Sequence, residues 1–253
     1  MTRAVLDRHA GALGVALFLV LWELAARLVW RDPAVLPSPF QALAQAWTVL
    51  TWRGLLGHVG VSLGRILAGF ATAAALGVGL GLACGWLRTL SLIVRPLVEV
   101  LRPIPPLAWI PIAIVWFGLG EPSKVFVIVL GAFFPIFTNA YRGMTMIPPV
   151  LVRAARTMDV EGWRLLWRVA VPAAMPDVAV GLRVGFGLAF GILVAAELIA
   201  AERGMGYLIM EARQLGNLGV SVFGIVLIGV VSLLADRQLG AVIARTVGRW
   251  AKV

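Results

Sequence analysis

Residues 150–176 read VLVRAARTMDVEGWRLLWRVAVPAAMP, an arginine-bearing stretch of helical pattern set between long apolar segments. Its first half predicts a helix over 152–158. Its second half predicts a helix over 162–169 that stops before Pro172, because a proline cannot continue the backbone ladder. Asp159 is the turn residue, since Asp tolerates left-handed backbone angles and its carboxylate can cap the helix that follows. Glu161 then falls in the first turn of the second helix, where negative charge suits the dipole. Trp163, Leu166, Trp167 and Ala170 recur at spacings of three and four, with Arg164 and Arg168 on another side. That pattern predicts one face held against the rest of the chain and one face free for a soluble partner.

The surroundings of this insert decide the fold class. The chain has 253 residues, of which 61% are hydrophobic and 13% charged, and its mean hydropathy is +0.96. A water-soluble domain could not cover so much apolar surface, so the chain reads as a polytopic membrane protein. Apolar windows long enough to cross a bilayer fall at 10–30, 58–86, 91–118, 124–142, 178–201 and 219–245. The expectation is an all-α transmembrane helical bundle of about six spans, forming a single domain over 1–253. Leu36-Pro37-Ser38-Pro39 opens a stretch to Trp52 that reads as an interfacial helix. Pro96, Pro103, Pro105, Pro106 and Pro111 break the third window, and irregular backbone at membrane depth survives only against protein or a water-filled cavity. Pro105, Pro106 and Trp109 are therefore candidates for lining a pathway. The first 26 residues imitate a signal peptide, but no small-x-small cleavage site follows the apolar core, so a retained first helix is expected.

The net charge of +10 does not indicate nucleic acid, because the basic residues alternate with membrane-length apolar runs and no aromatic-basic stacking pattern accompanies them. Arg3, Arg8, Arg88, Arg95, Arg142, Arg153, Arg156, Arg164, Arg168, Arg245, Arg249 and Lys252 fall on one side of a six-span arrangement. Arg27, Arg31, Arg53, Lys124, Arg203 and Arg213 fall on the other. The richer side should be cytoplasmic, which puts both termini and the 150–176 insert there. Cys84 stands alone and His9 and His58 are isolated, so neither a disulfide framework nor a metal site is expected.

Charges inside spans are the next candidates, because burying one costs several kcal/mol unless it is paired or wetted. Arg65 lies about 10 Å into the second window and Glu197 near the outer end of the fifth, and the two are expected to pair, as a structural tie or a gate. Arg95, Glu99 and Arg102 share a face and suggest a local ion-pair ladder. Arg183 is expected to snorkel to the cytoplasmic interface. Thr138, Asn139 and Tyr141 close the fourth window, and Asn139 is a further pathway candidate. Gly69, Ala73, Gly77, Gly81 and Gly85, and Gly181, Gly185 and Ala189, form stripes of small residues that allow close helix approach, either within one subunit or at a dimer face. Gly118 to Val125 imitates a phosphate-binding loop but lacks its second Gly and its hydroxyl residue, so it reads as a turn. No catalytic constellation is expected, and a gradient-driven transporter would call for matched broken helices in two mirrored halves, which this sequence does not show.

At Arg153-Ala154-Ala155-Arg156-Thr157-Met158-Asp159, continuing to Val169-Ala170-Val171-Pro172, the chain resembles the integral-membrane permease subunit of ABC importers. That family's cytoplasmic signature begins Glu-Ala-Ala, reaches a Gly after a short gap and ends aliphatic-x-Leu-Pro. Leu36-Pro37-Ser38-Pro39, Ser62-Leu63-Gly64-Arg65, Arg102-Pro103-Ile104-Pro105-Pro106-Leu107-Ala108-Trp109-Ile110-Pro111, Trp116-Phe117-Gly118 and Ala195-Ala196-Glu197 are similar to the branch that handles taurine, other sulfonates, nitrate and bicarbonate. The resemblance implies a type I importer permease fold in a bacterial cytoplasmic (inner) membrane. It also implies that 150–176 is the coupling segment, with Arg153 to Asp159, Glu161, Gly162, Trp163 and Arg164 meeting the ATPase. The partners it implies are two ATP-binding subunits carrying ATP and Mg, a second permease copy forming a homodimer, and a periplasmic or lipid-anchored substrate-binding protein. Another import branch, such as one for a thiamine precursor, would use the same scaffold. Two departures stand out: Arg153 where the family usually has Glu, and Asp159 where it usually has Gly.

Overall fold

The structure is a computed structural model that describes the backbone of residues 2–30, 32–33 and 35–247, and the side chains of 11, 13–30, 32–33 and 35–247. The side chains of Arg3, Arg8 and His9, and Arg31, Arg249 and Lys252 altogether, lie outside this set. Every regular element among the described residues is helical. In chain order they are α1 (Thr2–Ala25), α2 (Pro39–Val49), α3 (Trp52–Trp86), α4 (Arg88–Leu101), α5 (Ile110–Phe117), α6 (Glu121–Thr145), α7 (Pro149–Arg156), α8 (Gly162–Leu165), α9 (Val171–Ala200), α10 (Met205–Gln214) and α11 (Leu218–Thr246).

Five described stretches are long and apolar enough to cross a membrane: 13–30, 52–86, 121–145, 162–200 and 218–246. A sixth is the proline-broken segment, in which α4 and the 106–117 stretch meet at 89°. The break follows from Pro103, Pro105 and Pro106, which remove donors and leave Arg102 to Pro105 outside any helix. The helix expected in the stretch from Leu36 to Trp52 is α2. Ser38 and Gln41 close it with a capping box, the Gln41 amide N–H donating to Ser38 Oγ at 3.3 Å and the Ser38 N–H to Gln41 Oε1 at 3.0 Å.

The contacts divide the chain into two compact units, Met1–Gly60 with Glu202–Gly229, and Val61–Ala201 with Val230–Val253. Within the first, Leu208, Ala212 and Val220 form a small core with Leu50 and Leu55. The Gly204 N–H donates to His58 Nδ1 at 3.1 Å, and Tyr207 stacks on the imidazole at 5.9 Å. His58 is thus a structural acceptor. The Tyr207 hydroxyl donates to Glu211, and that hydrogen bond to a neighbouring carboxylate pushes the phenol above its ordinary value.

The second unit is organised around α6, whose buried residues include Val127, Ile128, Ala132, Ile136, Phe137 and Ala140. The glycine stripe of α3 lies against it. A Cβ built on Gly77 would come within 2.8 Å of Ile136, and one on Gly81 within 2.7 Å of both Ala140 and the Phe137 carbonyl. The α9 stripe does the same from the other side, with Gly181 against Asn139 and Gly185 against Ile136. Both stripes therefore serve packing within the chain. Ile66, Ile128, Ile136, Phe186 and Leu193 fill the core that results.

Two expectations need correction here. The second helix of the insert does not stop before Pro172: α8 runs through a π-turn at Leu166–Ala170 directly into α9. The wider π bonding absorbs the donor that Pro172 lacks, and the proline sits in the first turn of α9, where it costs little. Arg183 does not simply reach for an interface, because its guanidinium pairs with Asp236 at 2.9 Å.

Because the Phe137 carbonyl cannot yield, Gly81→Val should lower the thermal midpoint of the detergent-solubilised protein by an amount equivalent to about 1–3 kcal/mol. Gly79→Ala, where a Cβ would meet nothing within 4 Å, is the control that should leave the midpoint unchanged.

Candidate functional site

The insert between α6 and α9 is a helix, a tight turn and a second helix. At the end of α7 the Val160 N–H donates to the Ala155 carbonyl at 3.0 Å and the Asp159 N–H to the Arg156 carbonyl at 3.1 Å. These are the two hydrogen bonds of a Schellman motif, which needs a left-handed residue just past the helix end. That residue is Asp159, at φ 57° the one non-glycine with positive φ among the described residues. The chain builds the same motif after α10 with a glycine, Gly216 at φ 74°, and bonds from Asn217 to Ala212 and from Gly216 to Arg213. Asp159 is thus the turn residue, but it does not cap the next helix. Glu161 takes the N-cap position itself, with no side-chain capping bond, rather than a place in the first turn.

The face assignment of the second helix also differs from the sequence pattern. Leu165, Leu166 and Ala170 are buried, whereas Trp163 and Trp167 are exposed and meet edge to face at 5.6 Å. The π-turn adds a residue to the spiral, which rotates the inward face away from the tryptophans and onto Leu166 and Ala170. Those two pack with Met144 against Leu82 and Trp86. Ala155 alone of the 153–159 run is buried. Arg153, Ala154, Arg156, Thr157, Met158 and Asp159 are exposed, as are Glu161, Gly162, Trp163 and Arg164. The insert is anchored by buried Ala155, Leu165, Leu166 and Ala170 and exposes arginine, methionine and tryptophan on its outer surface.

A second cluster joins α3, α6 and α9. Arg65 Nη1 donates to Glu197 Oε1 at 2.8 Å, and its Nε and Nη2 donate bidentately to Glu121 at 2.5 and 2.6 Å. The Ser62 hydroxyl also donates to Glu197, with Oγ 2.7 Å from Oε1. Lys124 Nζ stands 3.7 Å from Glu121 and donates to the Leu119 and Gly120 carbonyls. The side chains of Arg65 and Glu197 are 3% and 0% exposed, that of Glu121 58%. Arg65 and Glu197, paired in the sequence reading, are brought together. Glu121 was not assigned to the pair, and Ser62, quoted with Arg65 in a family-like motif, was given no role; its spacing of three from Arg65 puts both on one face of α3.

The third feature is a cavity of about 520 Å³ at the break between α4 and α5, lined by Arg102, Pro105, Pro106, Thr138 and Asn139 among others. Three of the four pathway candidates therefore meet nearby space: Pro105, Pro106 and Asn139. Trp109 does not line it; at the end of a 3₁₀ turn it lies 6.5 Å from Trp116. The expected ladder is also shorter than its spacing suggested. Arg95 bonds Glu99 at 2.7 and 2.9 Å, while Arg102, past the end of α4, lines the cavity.

Residues 75–248 match the family described as binding-protein-dependent transport system inner membrane component. The chain belongs to this family of inner-membrane permeases. Relatives of the permease extend over most of it. A putative ABC transporter permease protein of Methanocaldococcus jannaschii is 39% identical over 88% of this chain and 85% of its own. The taurine transport system permease protein of Escherichia coli is 35% identical over 90% and 84%, and the nitrate import permease protein of Synechocystis 33% identical over 89% and 84%. Among solved structures, the inward-facing MetNI methionine ABC transporter covers 76% of this chain and 97% of its own at a TM-score of 0.58 and 20% identity. The permease thus has the type I importer fold and is a multi-pass membrane protein.

Two outcomes follow from these geometries. Removing the cation from the buried pair leaves Glu197 uncompensated, so Arg65→Ala should destabilise the permease by about 3–5 kcal/mol, whereas Glu121→Gln should cost far less because that carboxylate is solvated. A thermal melt in detergent compares the two. At the turn, Asp159→Gly should raise the melting midpoint slightly by relieving a left-handed side chain, and Asp159→Val should lower it by the equivalent of about 1–2 kcal/mol.

Proposed function

We propose that this permease is the membrane-spanning, non-catalytic subunit of an ATP-driven importer for a small organic or inorganic anion such as a sulfonate, taurine, nitrate or bicarbonate. The observation that carries the proposal is the insert itself: an exposed helix, Schellman turn and second helix, seated on α3 and α6 and continuous with α9. Force applied to its outer surface has a direct route into α9, because α8, the π-turn and α9 form one uninterrupted spiral. In this reading 150–176 is the coupling segment and its exposed Arg153, Arg156, Met158, Trp163 and Arg164 meet an ATPase. Two ATP-binding subunits, holding ATP and Mg, supply the energy. A second copy of this chain completes the pathway as a homodimer, and a periplasmic or lipid-anchored binding protein delivers the solute. The arginine asymmetry supports cytoplasmic termini and insertion in a bacterial inner membrane. The names of the relatives support an anion branch over one for a thiamine precursor.

The departures fit the reading. Asp159 keeps the turn that the family usually makes with Gly, as the φ of 57° shows. Arg153, exposed at the surface where the family usually carries Glu, calls for a matching carboxylate on the ATPase.

The test is co-purification of the tagged permease with the ATPase encoded beside it, followed by ATP hydrolysis with binding protein loaded in turn with taurine, nitrate or an aromatic sulfonate. A stable complex whose hydrolysis rises with one loaded binding protein is expected. Trp163→Asp should abolish that stimulation without loss of fold. A permease that purifies without any ATPase contradicts the proposal and favours a gradient-driven transporter.

A further inference from the structure

Arg102 occupies an unusual position for a guanidinium in so apolar a chain. It follows α4 by one residue, about 21 Å along the segment from Arg88 at 1.5 Å per residue, at the point where the prolines break the backbone. Among the described residues no carboxylate pairs with it, since Glu99, three residues before, is held by Arg95. Its side chain is exposed. It lines a cavity of about 520 Å³ whose other walls are mostly proline, phenylalanine and aliphatic side chains, with Thr138 and Asn139 supplying the only other polar side chains. Thr138 Oγ1 and Asn139 Nδ2 each spend a bond on their own helix, to the Phe134 and Pro135 carbonyls at 2.8 Å. Each keeps capacity for a ligand: the second Asn139 N–H as donor, the Thr138 oxygen as acceptor.

An exposed guanidinium at a break in a membrane helix, lining an apolar-walled space in the size range of small-ligand pockets, is open to a negatively charged ligand. We infer that Arg102, with the Asn139 amide lining the same cavity, forms an oxyanion-binding station for the translocated solute, the guanidinium fork meeting two oxygens of a sulfonate, nitrate or bicarbonate group. Arg suits this role better than Lys because its planar donors match a planar or tetrahedral oxyanion two at a time. A wall of proline and aliphatic groups adds little affinity, so the solute is held by charge and released when the cavity rearranges. This inference rests on the importer reading and assigns it a binding residue and a ligand class.

The experiment uses the complete transporter, with its ATPase and binding protein, in proteoliposomes, and labelled taurine, nitrate and thiamine as probes. Uptake per ATP hydrolysed is the readout, because a merely structural role would change amount or stability and leave that ratio alone. Arg102→Gln is expected to lower the ratio for the transported anion at least tenfold, with the ATPase still bound, and Arg102→Lys to restore most of it. Leu188→Asp, on an exposed wall residue of the same cavity, should lower the ratio likewise by repelling the anion, and it carries the test if Arg102→Gln does not assemble. Wild-type ratios in Arg102→Gln, or in Leu188→Asp where it stands in, overturn the inference. So does an effect that appears only when anionic lipid is varied, which would assign Arg102 to a lipid phosphate. Transport of thiamine alone, with the ATPase coupled, overturns it while leaving the importer reading intact; failure to bind any ATPase would instead remove that reading.

Discussion

Close approach to α6 is the constraint on which the second unit depends. In a bilayer, helices gain little from hiding apolar surface, because lipid is as apolar as leucine, and must associate through packing and polar contacts. Here both faces of α6 meet glycines: Gly69, Gly77, Gly81 and Gly85 from α3, and Gly181 and Gly185 from α9. The gaps are filled by Ile128, Ile136 and Ala140, whose own burial is nearly complete. The same three helices are then tied at one end by charge, since Arg65 of α3 holds Glu121 of α6 and Glu197 of α9. Packing sets how near the helices come, and the ion cluster sets their register along the axis.

That arrangement gives the insert its meaning. α6 ends at Thr145 and α9 begins at Val171, so the two helices held most tightly together are also the two that flank the exposed turn. The turn is stiffened by a Schellman motif at one end and by fusion with α9 at the other. A soluble partner pressing on Met158 or Trp163 therefore acts on a rigid lever joined to the most buried helix pair, and not on a loose loop. The proline break between α4 and α5 is the complement: there the backbone leaves the helix, space opens, and Arg102, with which no carboxylate among the described residues pairs, lines it.

Much of this was legible in the sequence, and the rest failed for identifiable reasons. The spans, the proline break and the helix between Leu36 and Trp52 follow from apolar run length and from proline chemistry, which are local. The Arg65–Glu197 contact was legible because an ionised group inside a span has few alternatives. Glu121 was missed because it sits at a helix start, where a carboxylate already has a reason to exist, and nothing local says that it also reaches Arg65. Trp163 and Trp167 were placed on one side with Leu166 and Ala170 because a 3.6-residue period was assumed through a segment that contains a π-turn. One added residue per turn reverses such an assignment, and sequence carries no simple mark of it. Arg102 was grouped with Arg95 and Glu99 by spacing, but Glu99 is held by Arg95 and Arg102, at the C-cap of α4, lines the cavity instead.

The central claim is that the exposed face of 153–164 meets an ATPase in the cytoplasm. A photo-reactive residue placed at Met158, which is 77% exposed, tests it in intact cells that co-express the ATPase and the binding protein. The account predicts a cross-link to the ATPase whose yield changes when ATP is depleted. A cross-link to the binding protein instead would place the segment on the opposite side of the membrane and contradict the account.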